Sequence, residues 1–548
     1  MRTKRNLKMW LVMSVLLAGM APAIAAGGTI YVDADASTGG DGQTWGTAYK
    51  YLQDALYKPP SGGDQIWVAE GTYYPDEDEA ATVDPNDRTE TFQLINGVAI
   101  YGGFGGGESS LEERNPNTYE TILSGDLDGN DVKGLDPCDL LGHASRAENS
   151  YHVVTGSGTN ITAVLDGFTI TTGNSNVSFP GDRGGGMYND AGNPTVTNCI
   201  FSGNSASYDG GGMYNEDYSS PTVSNCTFIG NSAFYGGGMC NRTGGSPIVT
   251  NCMFSRNSAV DGGGGMYNTA ESHATVTNCT FSGNSATSSI GGGGGMYNMG
   301  GSVTVTNCTF SGNYAVSYAG GMHNYKNSPT VTNCTFRANS ANYHGGGMRN
   351  DYSSPTVTNC IFSNNLAGVD GGGMRNWGNS NPIVTNCTFS RNSAGEGGGM
   401  YNYNNSSPTV SNCILWGNSA PSGAQIWNDG TSSATVSYSD VEGSWPGTEN
   451  IDEDPVFIDP NGLDGIPGTA DDEEGYVHLR GYSPCINAGD LGGDYSGQVD
   501  IDRQPRVAYG QVDMGADEVF PIAGDFEPDG DVDFGDFAIF AGNWLLGH

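Results

Sequence analysis

The sharpest chemical pattern in this sequence lies near its C-terminal end, where carboxylates recur at Asp525, Glu527, Asp529, Asp531, Asp533 and Asp536 around Gly530. Counted from Asp525, oxygen donors stand at loop positions 1, 3, 5, 9 and 12 and glycine at 6, the spacing that wraps a chain around a calcium ion. Position 7, Asp531, offers its backbone carbonyl. Phe537, Phe540, Trp544 and Leu545 follow at the spacing of one apolar helix face. A second acidic stretch, from Asp459 to Glu474, has no diagnostic spacing and reads as a solvated loop.

A second group follows a recurring methionine: Tyr188, Tyr214, Cys240, Tyr267, Tyr297, His323, Arg349, Arg375, Tyr401 and, in a degenerate unit, Trp427. Aromatic faces in a row can stack on sugar rings, and arginine can pair with a uronate carboxylate. Stacked aromatics also stabilise a sheet with no ligand at all, by ~0.2–1 kcal/mol per pair. His323, Arg349 and Arg375 interrupt the aromatic series in three successive units. If the chain is an enzyme, these three are the candidate catalytic residues. Asp351 and Asp370 are the acids near them in sequence, and short corners leave few loops to wall a groove.

The elements that must position these residues are repeats. Asn-Cys pairs begin at 198, 225, 251, 278, 307, 333, 359, 386 and 412, a period of 26 to 29 residues. A unit of that size is stable only when stacked on its neighbours. Within it, Val223, Cys226 and Phe228 alternate with polar residues and predict short strands. The triplet Gly236 to Gly238 predicts a bend before another strand, Met239 to Asn241. Three strands per ~26-residue rung give an all-β, right-handed parallel β-helix with rungs ~4.8 Å apart, and nine rungs make a rod roughly 43 Å long. Met187 and its equivalents through Met400 should form an inner column, with the residue after each facing outward. Asn198 and its equivalents suit left-handed corners and an amide ladder. The alternative reading of the Asn-Cys-Thr triplets is N-glycosylation.

The ends bound the location. Arg2, Lys4, Arg5 and Lys8 precede an apolar run, Met9 to Met20, and Ala23-Ile24-Ala25 supplies a cleavage pattern, so residues 1–25 read as a secretory signal peptide. Its removal leaves 17 basic against 60 acidic residues, a net charge of −43. That charge argues against nucleic acid and anionic membranes as partners. Residues 184–428 hold nine acids, whereas 440–536 hold 25. Nine of the twelve cysteines belong to the repeat, where rung spacing exceeds the Cβ separation of a disulfide, so free thiols are expected. A Cys138–Cys485 bridge is the remaining pairing. No spacing suits zinc, and no mature segment is long and apolar enough for a membrane helix.

Phe-x-x-Asn, as at Phe201/Asn204, Phe228/Asn231, Phe281/Asn284 and Phe389/Asn392, together with Gly-Gly-Met, resembles the polymorphic outer membrane protein repeat over residues 184 to 428. The usual form has Gly-Gly-Ala-Ile, so this chain departs by using Met. The resemblance implies a cell-surface or secreted β-helix and supplies no catalytic residue. The opening, with a helix expected over Ala48 to Tyr57, a strand over Gln65 to Ala69, and first rungs at Val98 to Tyr101 and Ala163 to Ile170, resembles the cap of pectate-lyase-like β-helix proteins. The terminal loop resembles half of a dockerin, the calcium module that docks onto cohesin domains; one loop–helix unit stands where two are usual.

The expected organisation is a signal peptide (1–25), an N-terminal cap with irregular first rungs (26–183), regular rungs (184–428), degenerate rungs with an acidic segment (429–522), and a calcium loop with its helix (523–548). The expected function is that of an exported, monomeric, non-catalytic rod that binds extracellular polysaccharide or an envelope component. It would be held through the Ca2+ module to a cohesin-like partner. A polysaccharide lyase or glycoside hydrolase acting on acidic polysaccharide is the alternative, and a structural surface-layer component the second alternative.

Overall fold

A computed structural model describes residues 28–57, 64–79, 82–178, 181–269, 271–458, 477–493, 495–508 and 510–519. The signal-peptide segment and the calcium loop lie outside these, as does the whole of Asp459 to Glu474. The chain coils as a parallel β-helix, and one rung shows how. Thr195–Thr197 pairs with Thr222–Ser224, Ile200–Ser202 with Thr227–Ile229, Ser205–Ala206 with the strand beginning at Ser232, and Met213–Glu216 with Met239–Asn241. Like residues meet at each step, so the sequence period becomes columns in space. Among the described residues the sheets hold 14 strands (threonine sheet), 13 (phenylalanine sheet), 12 (methionine sheet) and 8.

The last of these refines the three-strand expectation. Its strands are mostly two residues long, such as Ser205–Ala206 and Ser285–Ala286, too short for a period-two pattern to reveal.

Between the threonine and phenylalanine sheets every corner is an asparagine in the left-handed region, from Asn198 (φ 52°) to Asn412 (φ 52°). Asparagine adopts that conformation at lower cost than other non-glycine residues, which is why it recurs. Partial amide ladders link these corners, while two other columns carry fully buried ladders. Asn189, Asn215 and Asn241 donate Nδ2 to the next Oδ1 at 2.7–2.8 Å. Asn204, Asn231 and Asn257 accept the preceding rung's bonds and donate to backbone carbonyls such as Phe201 O at 2.9 Å. Interior amides thus satisfy backbone groups that the sharp corners leave over.

One continuous apolar core fills the coil. Met187 through Met400 are fully buried, and Phe201 through Phe389 stack with centroids 4.6–4.8 Å apart and planes within 5°. The cysteine column lies beside them. Each N–H points at the next rung's Sγ at 3.4–3.5 Å, and every cysteine is a free thiol. Cys138 lies against Ser258 and Cys485 against Asp440, so the two do not bridge.

The first rungs and the cap follow the expected order. The helix (α1) is shorter than its pattern, Leu52–Tyr57, because a 3-10 turn takes Trp45–Thr47 and ends at Ala48. Leu52, Ala55 and Leu56 of α1 close the end of the core beside Val32 and Tyr49, covering an otherwise open sheet end. The strand Gln65–Ala69 forms as read, and Ala99–Phe104 and Val164–Asp166 extend the threonine sheet. No helix among the described residues is long and apolar enough to cross a membrane.

Candidate functional site

The residue after each methionine faces outward, as strand alternation demands, yet it is not accessible. Tyr214 is fully buried, Tyr267 is 2% exposed and Tyr401 6%; Tyr188 is buried too, and only Tyr297 and Trp427 are half-exposed. The expected sugar-stacking stripe is therefore closed over most of its length. The cause is a second column, formed by the residue before each glycine bend. Asp209 and Tyr235, then Gly262 and Gly292, then Tyr318, His344 and Asp370 form this column of parallel bridges, and side chains such as Tyr235 and Tyr318 lie over the aromatic strand. Tyr235 stacks on Tyr267 at 4.8 Å and Tyr318 meets His323 edge-on at 5.7 Å.

The structure brings the basic trio together. His323 is opposite Arg349, and Arg349 opposite Arg375. All three are buried, at 3%, 6% and 7% exposure. Asp351 Oδ2 accepts from His323 Nε2 at 3.1 Å and from Arg349 Nε at 2.7 Å, while its Oδ1 faces Arg375 at 3.4 Å. Asp370 Oδ1 accepts from Arg375 Nε at 2.6 Å and pairs with His344 Nδ1 at 2.9 Å. The Arg349 guanidinium also sits 3.6 Å over the Tyr318 ring. Burial alone would raise the Asp351 pKa; Arg349, His323 and Arg375 overcome it and hold the carboxyl at about 2. Burial pushes His323 below its ordinary value, against the pull of Asp351. Gly292 is required beside this network, because a Cβ there would fall 2.0 Å from His323 Nδ1. Asp351 and Asp370 engage all three bases, which are buried away from the surface, while His323 Nδ1 and Arg349 Nη1 have no hydrogen-bond partner. The arrangement is a closed ion-pair network.

A second network on the same face went unread in the sequence. Asp209, fully buried, accepts a hydrogen bond on Oδ1 from Arg242 Nη2 at 2.9 Å, its Oδ2 lies 2.8 Å from Arg242 Nε and 3.4 Å from Arg183 Nε, and Cys240 Sγ lies 3.5 Å from Oδ1. Arg183 and Asp209 hold the same position in successive units, while Cys240 and Arg242 hold others. Rung stacking alone makes them neighbours, and no local motif signals it.

Accessible concavity lies elsewhere, along the asparagine corners between the threonine and phenylalanine sheets. At its N-terminal end a cavity of about 570 Å³ opens between the loop carrying Leu111, Arg114 and Pro116 and the corner residues Asn198 and Asn225. Toward the other end a cavity of about 410 Å³ lies between Asn307, Asn333 and Asn359 and residues 497–499. From Asn198 to Asn359, both cavities included, the strip spans six rung steps, about 28 Å at ~4.7 Å each. Threonines flank the corner amides, and Asn225, Asn251 and Asn278 are exposed.

The segment that forms the second wall folds back along the phenylalanine sheet. Asn412 Nδ2 donates to Tyr495 Oη at 2.6 Å, Gly515 N to Asn412 O at 2.8 Å and Ala516 N to Thr388 Oγ1 at 3.0 Å. Val477, Ala516 and Ile361 pack together. Arg506 is wholly buried and donates to the carbonyls of Asp513, Gly515 and Asp517 at 2.6–3.0 Å. Burial pushes Asp440 up to about 7, Asp517 to about 6 and Glu518 to about 7.

For metals, two groupings bring donor atoms within 4.8 Å of one another: Asp126, Asp131 and Glu148, and His478, Asp502 and Asp517. The sequence-derived ligands at 525–536 lie outside the described residues.

A family model described as "Right handed beta helix region" matches residues 142–310, 233–378 and 269–441, together a continuous stretch of more than half the chain. No curated protein matches in sequence. Among solved structures, the pectate lyase Pel9A aligns with a TM-score of 0.37 and 14% identity over 91% of this chain and 98% of that one. A rhamnogalacturonan lyase aligns with a TM-score of 0.28 and 12% identity over 82% and 96%. Likeness at that level carries no inference about activity.

Proposed function

From the premise that this chain belongs to the right handed beta helix family, we propose that it is an exported, non-catalytic rod that binds extracellular polysaccharide along its asparagine corners, in adhesion to that material. One observation carries the reading. The bases that could have done chemistry are held in buried ion pairs, whereas the corner strip is accessible, amide- and hydroxyl-lined, and has a cavity at each end. Amides and threonine hydroxyls both donate and accept, which suits the hydroxyls of an extended glycan. A fold alone does not assign this function; the strip's chemistry supports it.

Export through residues 1–25 and tethering through calcium bound at Asp525, Glu527, Asp529, Asp533 and Asp536 complete the proposal, on the strength of their sequence patterns. A cohesin-like surface partner is the class such a loop would dock onto. The test is retention on insoluble polysaccharides by the full chain and by Thr277→Trp, which places a bulky ring in mid-strip at a half-buried position. Loss of retention in the variant is expected. Retention equal to that of the unaltered chain rejects the strip as the binding surface.

A further inference from the structure

The corner amides change state along the strip. From Asn225 to Asn307 they are linked rung to rung: Asn251 Nδ2 donates to Asn225 Oδ1 at 3.3 Å, Asn278 to Asn251 at 3.1 Å and Asn307 to Asn278 at 3.1 Å. At the next rung the ladder stops. Asn333 is 8% exposed and its Oδ1 has no partner. Asn359 is fully buried, and its Nδ2 turns away to donate to Val499 O at 2.5 Å, which leaves its Oδ1 without a partner as well. The break falls where residues 497–499 pass over the corner and enclose the 410 Å³ cavity, into whose lining both amides are built.

Buried polar atoms are nearly always hydrogen-bonded, and those that are not mark a place where a partner belongs. The chemistry of that partner follows from the walls. Three asparagines, the threonine before each, Gly497, Gln498 and Val499 line the cavity, and none of them is ionisable. A carboxylate or phosphate would lose its hydration with no cation to meet it. A hydroxyl-rich ligand can instead donate to the two free Oδ1 atoms and exchange bonds with the threonines. The volume falls within the range of about 300–1,000 Å³ typical of small-ligand sites. It lies on the C-terminal side of the exposed corner amides Asn251 and Asn278, so a chain lying in the strip can run its end beneath residues 497–499.

We propose that this cavity is a subsite for the terminal residues of a neutral, hydroxyl-rich glycan, held by the Asn333 and Asn359 amide oxygens under residues 497–499. The assignment rests on the polysaccharide-binding reading and adds to it a polarity, with the glycan end at the C-terminal side, and a selection against uronates.

The test is calorimetric titration of the full chain with cellotetraose, xylotetraose and mannotetraose as neutral probes and tetragalacturonate as the acidic one. Two variants accompany it: Asn333→Gly, which keeps the left-handed corner (φ 53°) while removing the amide, and Thr332→Trp, which fills the cavity. At least one neutral tetrasaccharide is expected to bind and to lose about ten-fold or more in affinity in each variant, with thermal midpoints confirming that both fold. If polymer is retained while no neutral tetrasaccharide binds, or binding is unchanged in both variants, the subsite is overturned and the strip stands. If no polymer is retained at all, the reading beneath it falls too. Tetragalacturonate binding that is lost in the same variants overturns the neutral selection.

Discussion

Replacing Asp351 by Asn tests whether the buried basic cluster is architecture. Asp351 is the anion shared by His323, Arg349 and Arg375, at 3.1, 2.7 and 3.4 Å. Its carboxyl is held at about 2 in place of 3.8. Nearly two pKa units at about 1.36 kcal/mol each correspond to ~2.5 kcal/mol favouring the ionised folded state. Breaking a buried ion pair by removing one partner typically costs ~3–5 kcal/mol, because the remaining charges stay uncompensated. Asp351→Asn should therefore cost about 2.5–4 kcal/mol at pH 7. In a solenoid the loss stays near the altered rung, so amide hydrogen exchange over residues 322–377 is the appropriate assay, and exchange there should accelerate about a hundred-fold. The pH dependence has a fixed sign. The folded-state pKa is depressed, so the stabilisation is complete above the ordinary value near 4 and is lost as pH falls through about 2. The gap between wild type and variant should close over that window. Unchanged exchange at pH 7, or a gap that persists at pH 1.5, would refute the network's structural role.

Three other outcomes follow from the same physics. Asn284→Ala in the interior ladder removes the side-chain bonds to Phe254 O and Asn313 Oδ1 and those accepted from Asn257 N and Nδ2, with Asn313 Oδ1 keeping only the residue 284 N–H, and should cost ~1–3 kcal/mol or more; Asn278→Gly at the neighbouring corner should cost under about 1 kcal/mol, so equal urea midpoints for the two would contradict the ladder assignment. The folded-back segment should loosen as pH rises through about 6 to 7, because Asp440, Asp517 and Glu518 have raised pKa values when folded and contribute stability fully only below their ordinary values; lower exchange protection across 477–519 at pH 8 than at pH 5, after division by the intrinsic rate at each pH, is expected, and the reverse order would count against it. Calcium should bind at 525–536 with one equivalent detected by calorimetry and be lost in Asp529→Ala; an unchanged titration in that variant removes the loop as the site.

Much of the fold could be read because a short period forces identical residues onto one another. The Met, Phe and Cys columns and the left-handed asparagine corners all follow from spacing plus alternation. The interior ladder of Asn189, Asn215 and Asn241 was also signalled, since each stands two residues after an inward methionine and must share its face. The closed state of the aromatic column was not. Alternation gives the direction of a side chain and says nothing of whether a neighbouring corner folds over it, and the covering positions vary from Asp209 to Tyr235 to His344. His323, Arg349 and Arg375 could be placed side by side, and Asp351 and Asp370 near them, but their mutual neutralisation needed distances. The strap is the least readable part. Residues 477–519 have no period, and the asparagines they cover look in sequence like every other corner.

The most direct measurement incubates the full chain with neutral and acidic polysaccharides in millimolar calcium and follows both retention on the polymer and the release of unsaturated or reducing ends. A rod that binds through its uncharged corner strip predicts retention with no new ends. Release of new ends, abolished when His323, Arg349 and Arg375 are replaced together in a folded variant, would contradict it and make the closed cluster a catalytic site.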